Sequence, residues 1–312
     1  MKPLFQTVMS AVLTCGIAFT NNAQNVIETE SRSTVFAEGI VSTPYYDWST
    51  SFTPDGKTVY FSQGITYFTS CFSKMIHGKW SKPQIATFSG KWNDVDPFIS
   101  IDGKRVIFIS NRPLPGMPQN KPNSVFHLWY VNYVSKNVWS EPHYIGEPVN
   151  LPDKGNYAPS MNSAGDLYFC ARGREGHVNM SVYCAKWLGD HYDQPQYLNL
   201  AGEGDTRDPF IAPDNSYLIF VYGKDIYVSF HDGASWSKAQ KLSPEVNNGD
   251  ANSAPAVSRD GKILYYTSAR KTGLGKSEER GWVRNYDQLV REMQTIYNGN
   301  GNILMIPINL HH

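Results

Sequence analysis

What the chain lacks narrows its function first. Its 28 basic side chains are matched by 28 acidic ones, so no overall field draws it to nucleic acid or to an anionic membrane. Cysteine is scarce, with four in 312 residues. Beyond Cys15, only Cys71, Cys170 and Cys184 remain; an odd set without metal spacing argues against a disulfide framework or a zinc site. Hairpin register puts Cys170 opposite about residue 180, not Cys184, so both are expected as core fillers. His77, His127, His143, His177 and His191 are scattered without a pair at metal spacing, and neither a nucleophile elbow nor a zinc-protease signature is present. No cofactor is expected. Asn298 to Asn302 resembles a phosphate loop only in its glycines and reads as a turn.

Long hydrophobic runs are missing too. The apolar stretch Val8 to Phe19 is too short for a comfortable membrane span. With Lys2 as the only early charge and a small residue, Ala23, closing the stretch, residues 1–23 are expected to be an export signal ahead of one domain over 24–312. Cys15 follows Val12-Leu13-Thr14, a poor lipoprotein box, so lipid anchoring is the less favoured reading. A periplasmic or secreted protein, peripheral to the membrane at most, is the expectation.

What is abundant is turn and strand chemistry: 25 Gly, 19 Pro and 19 Tyr fit many short strands joined by tight turns. Internal periodicity then organises the chain. Five segments align, at residues 47–61, 94–108, 156–169, 206–220 and 252–266. Each is a short strand, a turn, and an apolar strand. The turns are Asp55-Gly56, Asp102-Gly103, Ala164-Gly165, Asp214-Asn215 and Asp260-Gly261, residues that take the positive φ a tight hairpin needs. Pro97, Pro159, Pro209 and Pro255 recur five residues before the turn, with Thr50 in the first copy; a strand's first residue, needing no ladder donor, is the expected place. A third strand follows at Ile65–Thr69, Phe126–Val131, Met180–Tyr183 and Asp225–Val228. Trp80, Trp139, Tyr192 and Trp236 then open a stretch leading to an outer strand. Four antiparallel strands per unit make a propeller blade.

The motif Pro, Ser/Thr-x-Asp-Gly-Lys, apolar strand, then a Trp-Ser-x-Pro element resembles the WD40-like repeats of TolB-type propellers over about residues 35–310. That resemblance implies fold far more than activity, and commonly six blades. The chain departs from it. After the fifth hairpin, a helix-like stretch from Tyr286 to Tyr297 interrupts the blade and Asn302 to Pro307 supplies its third strand. Its fourth strand must come from Ser33 to Val41, which closes the ring and removes the open edge. An all-β, five-bladed propeller is the expectation, with six as the alternative.

Propellers bind ligands at the mouths of the central channel. Three residues before the shared proline stand Asp47, Asp94, Asn156, Thr206 and Asn252, with Trp48, Asp96, Tyr157, Arg207 and Asp208 beside them. Hairpin geometry returns Arg112, Arg172 and Arg270 to the same face. One reading is a polar funnel for an envelope protein, a peptide or a glycan, in a monomer without catalysis. Another is a carbohydrate-active enzyme, since five-bladed propellers include glycoside hydrolases using three carboxylates; Asp47, Asp94 or Asp96, and Asp208 would be those acids, although the ring holds no Glu. A third is structural, each arginine pairing with a neighbouring blade's aspartate. Arg174 to His177 is expected as a solvated hairpin loop. The insert from Lys271 to Asn302, with Lys276, Glu278, Glu279, Arg280, Trp282 and Arg284, is expected to pack on the rim through Leu289, Met293 and Ile296.

Overall fold

The structure, a computed structural model, describes residues 27–28, 32–136, 138–248, 250–270 and 285–310. The expected signal segment, Cys15 and residues 271–284 of the insert lie outside them. Five antiparallel sheets are arranged as five blades. The inner strands are Tyr46–Phe52, Asp94–Ile99, Asn156–Met161, Thr206–Ile211 and Asn252–Val257. Each touches the next, and the fifth touches the first, so the ring is closed.

The repeat motif explains each hairpin. At the first turn the Gly56 N–H donates to Thr53 O at 2.8 Å with Gly56 at φ 66°. The Asp55 carboxylate accepts from Thr53 Oγ1 and Lys57 N at 2.6 and 3.0 Å, so the acid caps the turn that the glycine allows. Asp102 and Asp260 repeat the device. The serine of the Trp-Ser element has a similar role: Ser81, Ser140 and Ser237 accept the N–H of Lys74, Asn132 and Phe230 on the third strand.

The second strands are buried on both faces because each blade is sandwiched by its neighbours. Phe61, Phe108, Phe169, Phe220 and Tyr266 sit at equivalent depth there, all within 1% of full burial. Their runs therefore read as continuously apolar, without alternation. Cys71, Cys170 and Cys184 are free and buried, and Cys170 faces Val182 across the ladder.

Several elements depart from expectation. The third strand of blade 1 runs Phe68–Ile76, because Ile65 to Tyr67 are used in the turn. The helix is shorter, Tyr286–Met293, and none of its residues is buried; Leu289 and Met293 face solvent, so it does not pack on the rim as expected. It is tied down behind its C-terminus, where Asn298 Nδ2 donates to Pro44 O at 2.8 Å. Arg174 is 2% exposed, not solvated: its guanidinium donates to Val149 O and Pro148 O at 2.7 and 2.9 Å and lies over Phe169 and Tyr183. Closure uses Thr34–Val35, paired with Leu304 and Met305, and Phe36 N continues the contact to Ile303 O at 2.9 Å.

The prolines do not begin strands. They lie inside the inner strands of blades 2 to 5, each at a β-bulge where the register slips, between Val95 and Phe98 in blade 2 and at the matching places in the other three, and blade 1 has the same bulge at Thr50. The preceding residues, Ser49, Asp96, Ala158, Asp208 and Ala254, all have φ between 45° and 56°. Positive φ in non-glycine residues is uncommon, so its fivefold recurrence marks a constructional device. A bulge is the other position where a strand tolerates proline.

At the turn end of the channel, Arg259 of blade 5 crosses the axis. It donates to Phe52 O at 2.7 Å, Ile99 O at 3.0 Å and Ser100 O at 3.3 Å, joining blades 5, 1 and 2. Arg259→Ala leaves those carbonyls short of a charged donor and is expected to cost about 2–3 kcal/mol, seen as a lower urea midpoint with unchanged far-UV circular dichroism. A cost under about 0.5 kcal/mol would show that water replaces the guanidinium without penalty.

Candidate functional site

The bulges build the channel. By two-residue alternation Asp94 and Asp96 share a face, but the left-handed residue at 96 re-aims its side chain. Asp94 therefore points between strands while Asp96 lines the axis. The same holds in every blade, so the channel wall is Ser49, Asp96, Ala158, Asp208 and Ala254, with the prolines behind them. The cavity at this mouth is small, about 40 Å³, and a second of about 70 Å³ continues along the same inner strands toward the turns.

The residues three before each proline form a second ring, all of it buried. Asp47 Oδ2 accepts from Thr43 N and Thr43 Oγ1 at 2.6 and 2.9 Å, and its Oδ1 from Gln63 Nε2 at 2.6 Å. It thereby ties the closing segment to blade 1. Burial pushes its carboxyl up to about 6, against those hydrogen bonds. Asp94 holds Arg112 at 2.6 Å and Ser110 Oγ at 2.6 Å. Burial raises its pKa overall, while the Arg112 guanidinium and the Ser110 hydroxyl oppose the rise. Asn156 and Asn252 donate to Val149 O and Val246 O, each at 3.1 Å, and the Thr206 hydroxyl accepts from Val182 N.

The arginines are engaged at the periphery. Arg112 also donates to Phe88 O and lies over Phe108 and Trp129. Arg172 meets Asp205 at 3.5 Å in an exposed pair. Arg270 meets Asp250 at 3.6 Å and Ser33 Oγ at 3.2 Å. The arginine–aspartate pairs thus exist, but Asp94 and Asp250 come from the arginine's own repeat, and only Arg172 reaches toward the next.

What remains at the mouth is compact. Asp96 Oδ1 accepts from Trp48 Nε1 and Ser49 Oγ at 2.8 and 2.7 Å, and its Oδ2 from Ala158 N at 3.2 Å. Asp208 Oδ2 accepts from Ala254 N at 2.9 Å; among the described residues no donor is placed on its Oδ1. Each acid thus holds the bulge N–H of the next blade. Burial raises both carboxyls, Asp208 to about 6, with the Asp96 charge adding to the rise and Arg207 opposing it. Although protein encloses Asp208, its side chain keeps partial exposure because it faces the open channel. Arg207 points away, donating to Gly223 O at 2.8 Å.

Tyr46 stands over the two acids. Its phenol pKa is raised by burial and by both carboxylates. Its ring meets Trp48 edge-on at 5.0 Å, and Trp48 meets Phe68 at 5.2 Å. Tyr157 packs with Phe126 at 6.2 Å on the far wall. Sequence reasoning missed Tyr46, which precedes the repeated motif, and Phe68, which was read only as part of a third strand; the aromatic pair Tyr45-Tyr46 immediately before the repeat was the available signal.

The fold and mouth define a class, a five-bladed β-propeller whose channel opens on two carboxylates beneath an aromatic wall. No protein-family model matches the chain, and no curated protein does. Solved structures do. An α-L-arabinofuranosidase from Lactobacillus brevis superposes with a TM-score of 0.53 at 13% identity, covering 88% of this chain and 94% of that one. TolB from Acinetobacter baumannii gives 0.47 at 13% identity, over 85% of this chain, which spans 55% of the TolB chain. A gluconolactonase from Xanthomonas campestris, XC5397, gives 0.43 at 8%, covering 92% and 98%. At such identities the likeness shows a propeller fold alone. No helix among the described residues is long and apolar enough to cross a membrane.

Proposed function

We propose that this propeller is a non-enzymatic binding protein of the bacterial cell envelope, and that its mouth takes a cationic group of a peptide or glycan. The observation that carries the reading is Asp208, a carboxylate facing the channel with one backbone donor and an open Oδ1, beside a second carboxylate whose oxygens are fully engaged. An ammonium entering from the mouth would meet Asp208 and pass the faces of Tyr46 and Trp48, which favour cations. A mouth cavity of about 40 Å³ suits a small head group, since pockets that enclose a whole ligand are usually about 300 Å³ or more.

The same geometry weighs against the glycosidase reading. Asp47 and Asp94 are buried and bonded away from the channel, and Asp96 has no free oxygen. One available carboxylate does not provide the acid and base that glycoside hydrolysis requires.

The test is a titration of the protein with amine-bearing peptides and amino sugars against their neutral, acetylated counterparts, following the Trp48 indole N–H by nuclear magnetic resonance. The amines are expected to shift that signal, more strongly above pH 6 than below it, because binding needs Asp208 ionised. Equal shifts from the acetylated compounds, or hydrolysis of a glycan in the mixture, would overturn the proposal.

A further inference from the structure

A second cavity, away from the channel, opens on the turn face between blades 2 and 3. It measures about 520 Å³ and adjoins a smaller one of about 170 Å³. Arg105, Trp187 and Tyr192 line both.

Arg105 is foreign to the repeat. The equivalent positions after the other turns hold Thr58, Leu167, Tyr217 and Ile263, so blade construction does not call for a charge there. Its Nε donates to Asn132 Oδ1 at 3.2 Å and its guanidinium carbon lies 4.5 Å from the centre of the Tyr130 ring. Tyr130 is itself stacked on His143. Among the described residues no carboxylate pairs with Arg105. The guanidinium is therefore fixed in plane and orientation while both terminal nitrogens stay available, the arrangement suited to a bidentate carboxylate.

Trp187 is equally positioned. Asp166 Oδ1 accepts the backbone N–H of Trp187 at 3.1 Å while its Oδ2 holds Lys186 at 2.8 Å. Gly165, at φ 92°, lets the indole lie close over the turn; a Cβ there would stand 3.1 Å from Trp187 Cδ1. Tyr192 meets the indole edge-on at 4.9 Å. An oriented indole beside an oriented, unpaired guanidinium matches a ring with one apolar C–H face and one carboxylate edge. We infer that this groove binds a carboxylate-bearing saccharide of the uronic acid class, with Arg105 on the carboxylate and Trp187 against the ring.

Isothermal titration with a di-uronide, its neutral disaccharide analogue and inorganic phosphate tests this. The di-uronide is expected to bind, the neutral sugar at least tenfold more weakly, and phosphate more weakly still. Arg105→Gln should weaken the di-uronide at least tenfold and leave the neutral sugar unchanged; Trp187→Leu should weaken both sugars and leave phosphate unchanged. Unfolding midpoints of the variants check folding, and if one variant fails to fold the other decides alone. No di-uronide binding at millimolar concentration, full affinity in a folded variant, or phosphate binding as tightly as the di-uronide would overturn the inference. Asp208→Asn, which alters only the channel mouth, should leave this binding intact, so the two sites stand or fall separately.

Discussion

Phe36→Ala is expected to lower the unfolding free energy by about 3–5 kcal/mol, the range for truncating a buried phenylalanine. The closing strand pairs over only two residues, Thr34 and Val35, extended by the Phe36 N–H and by the pair Ile27–Glu28 with Asn309–Leu310, and so short a ladder contributes little by pairing alone. The side chain does more. Phe36 is 4% exposed and meets Phe52, Trp80 and Tyr265 edge-on at 5.9, 5.5 and 5.0 Å. These contacts join the closing segment to both blade 1 and blade 5, whose Phe52 and Tyr265 also meet each other at 4.8 Å. Ser42 completes the joint, donating to Ile303 O at 2.9 Å and accepting from Ile303 N at 3.1 Å. Removing the ring leaves a cavity among three aromatics that cannot all collapse into it. Urea unfolding should show the lower midpoint, while Thr34→Ala, at an exposed ladder position, should stay within about 0.5 kcal/mol of the parent. If the two variants cost the same, the ladder and not the aromatic cluster closes the ring.

The architecture was legible because a propeller repeats one solution five times. Asp-Gly turns, Trp-Ser elements and apolar second strands each have a local physical cause, and each recurs. The closing strand followed from counting strands, since a blade one strand short has an unpaired edge. The site was legible only in part. Alternation along the inner strand treats Asp94 and Asp96 as equivalent, and nothing local announces that residue 96 is left-handed. The shared proline was the trace of the bulge, but proline suits a strand start as well as a bulge. Hence alternation alone does not separate the ring at Asp47 and Asp94 from the ring at Asp96 and Asp208. Arg174 escapes local reading for a related reason: in sequence it sits among Gly173, Glu175 and Gly176, a solvated-looking loop, whereas the carbonyls it satisfies come from residues 148 and 149, far along the chain.

Asp208→Asn is expected to make the protein more stable at pH 7.5 while weakening capture of cations at the mouth. The sign follows from linkage. In the unfolded chain the carboxyl ionises near 3.8, and in the folded ring near 6. Between those values the folded state holds a proton that the unfolded state has released, so stability falls as pH rises through the window and levels off above it. A difference of about two pH units corresponds to about 3 kcal/mol, an upper bound because the side chain faces the open channel. Asparagine keeps an oxygen for the Ala254 N–H and removes the buried charge, so a gain of about 1–2 kcal/mol at pH 7.5 is expected, vanishing near pH 4. Asp47, also raised to about 6, remains in the variant, so part of the slope should persist. Below pH 4 the trend reverses for both proteins, because turn hydrogen bonds from Thr53 and Ser258 hold Asp55 and Asp260 below the usual carboxylate range and protonation removes that contribution. Urea unfolding from pH 3.5 to 8 measures the whole curve. A variant less stable than the parent at every pH would mean that ionised Asp208 is a structural asset. A variant that gains stability and loses amine binding would show that the ring retains a costly carboxylate because the mouth needs its charge.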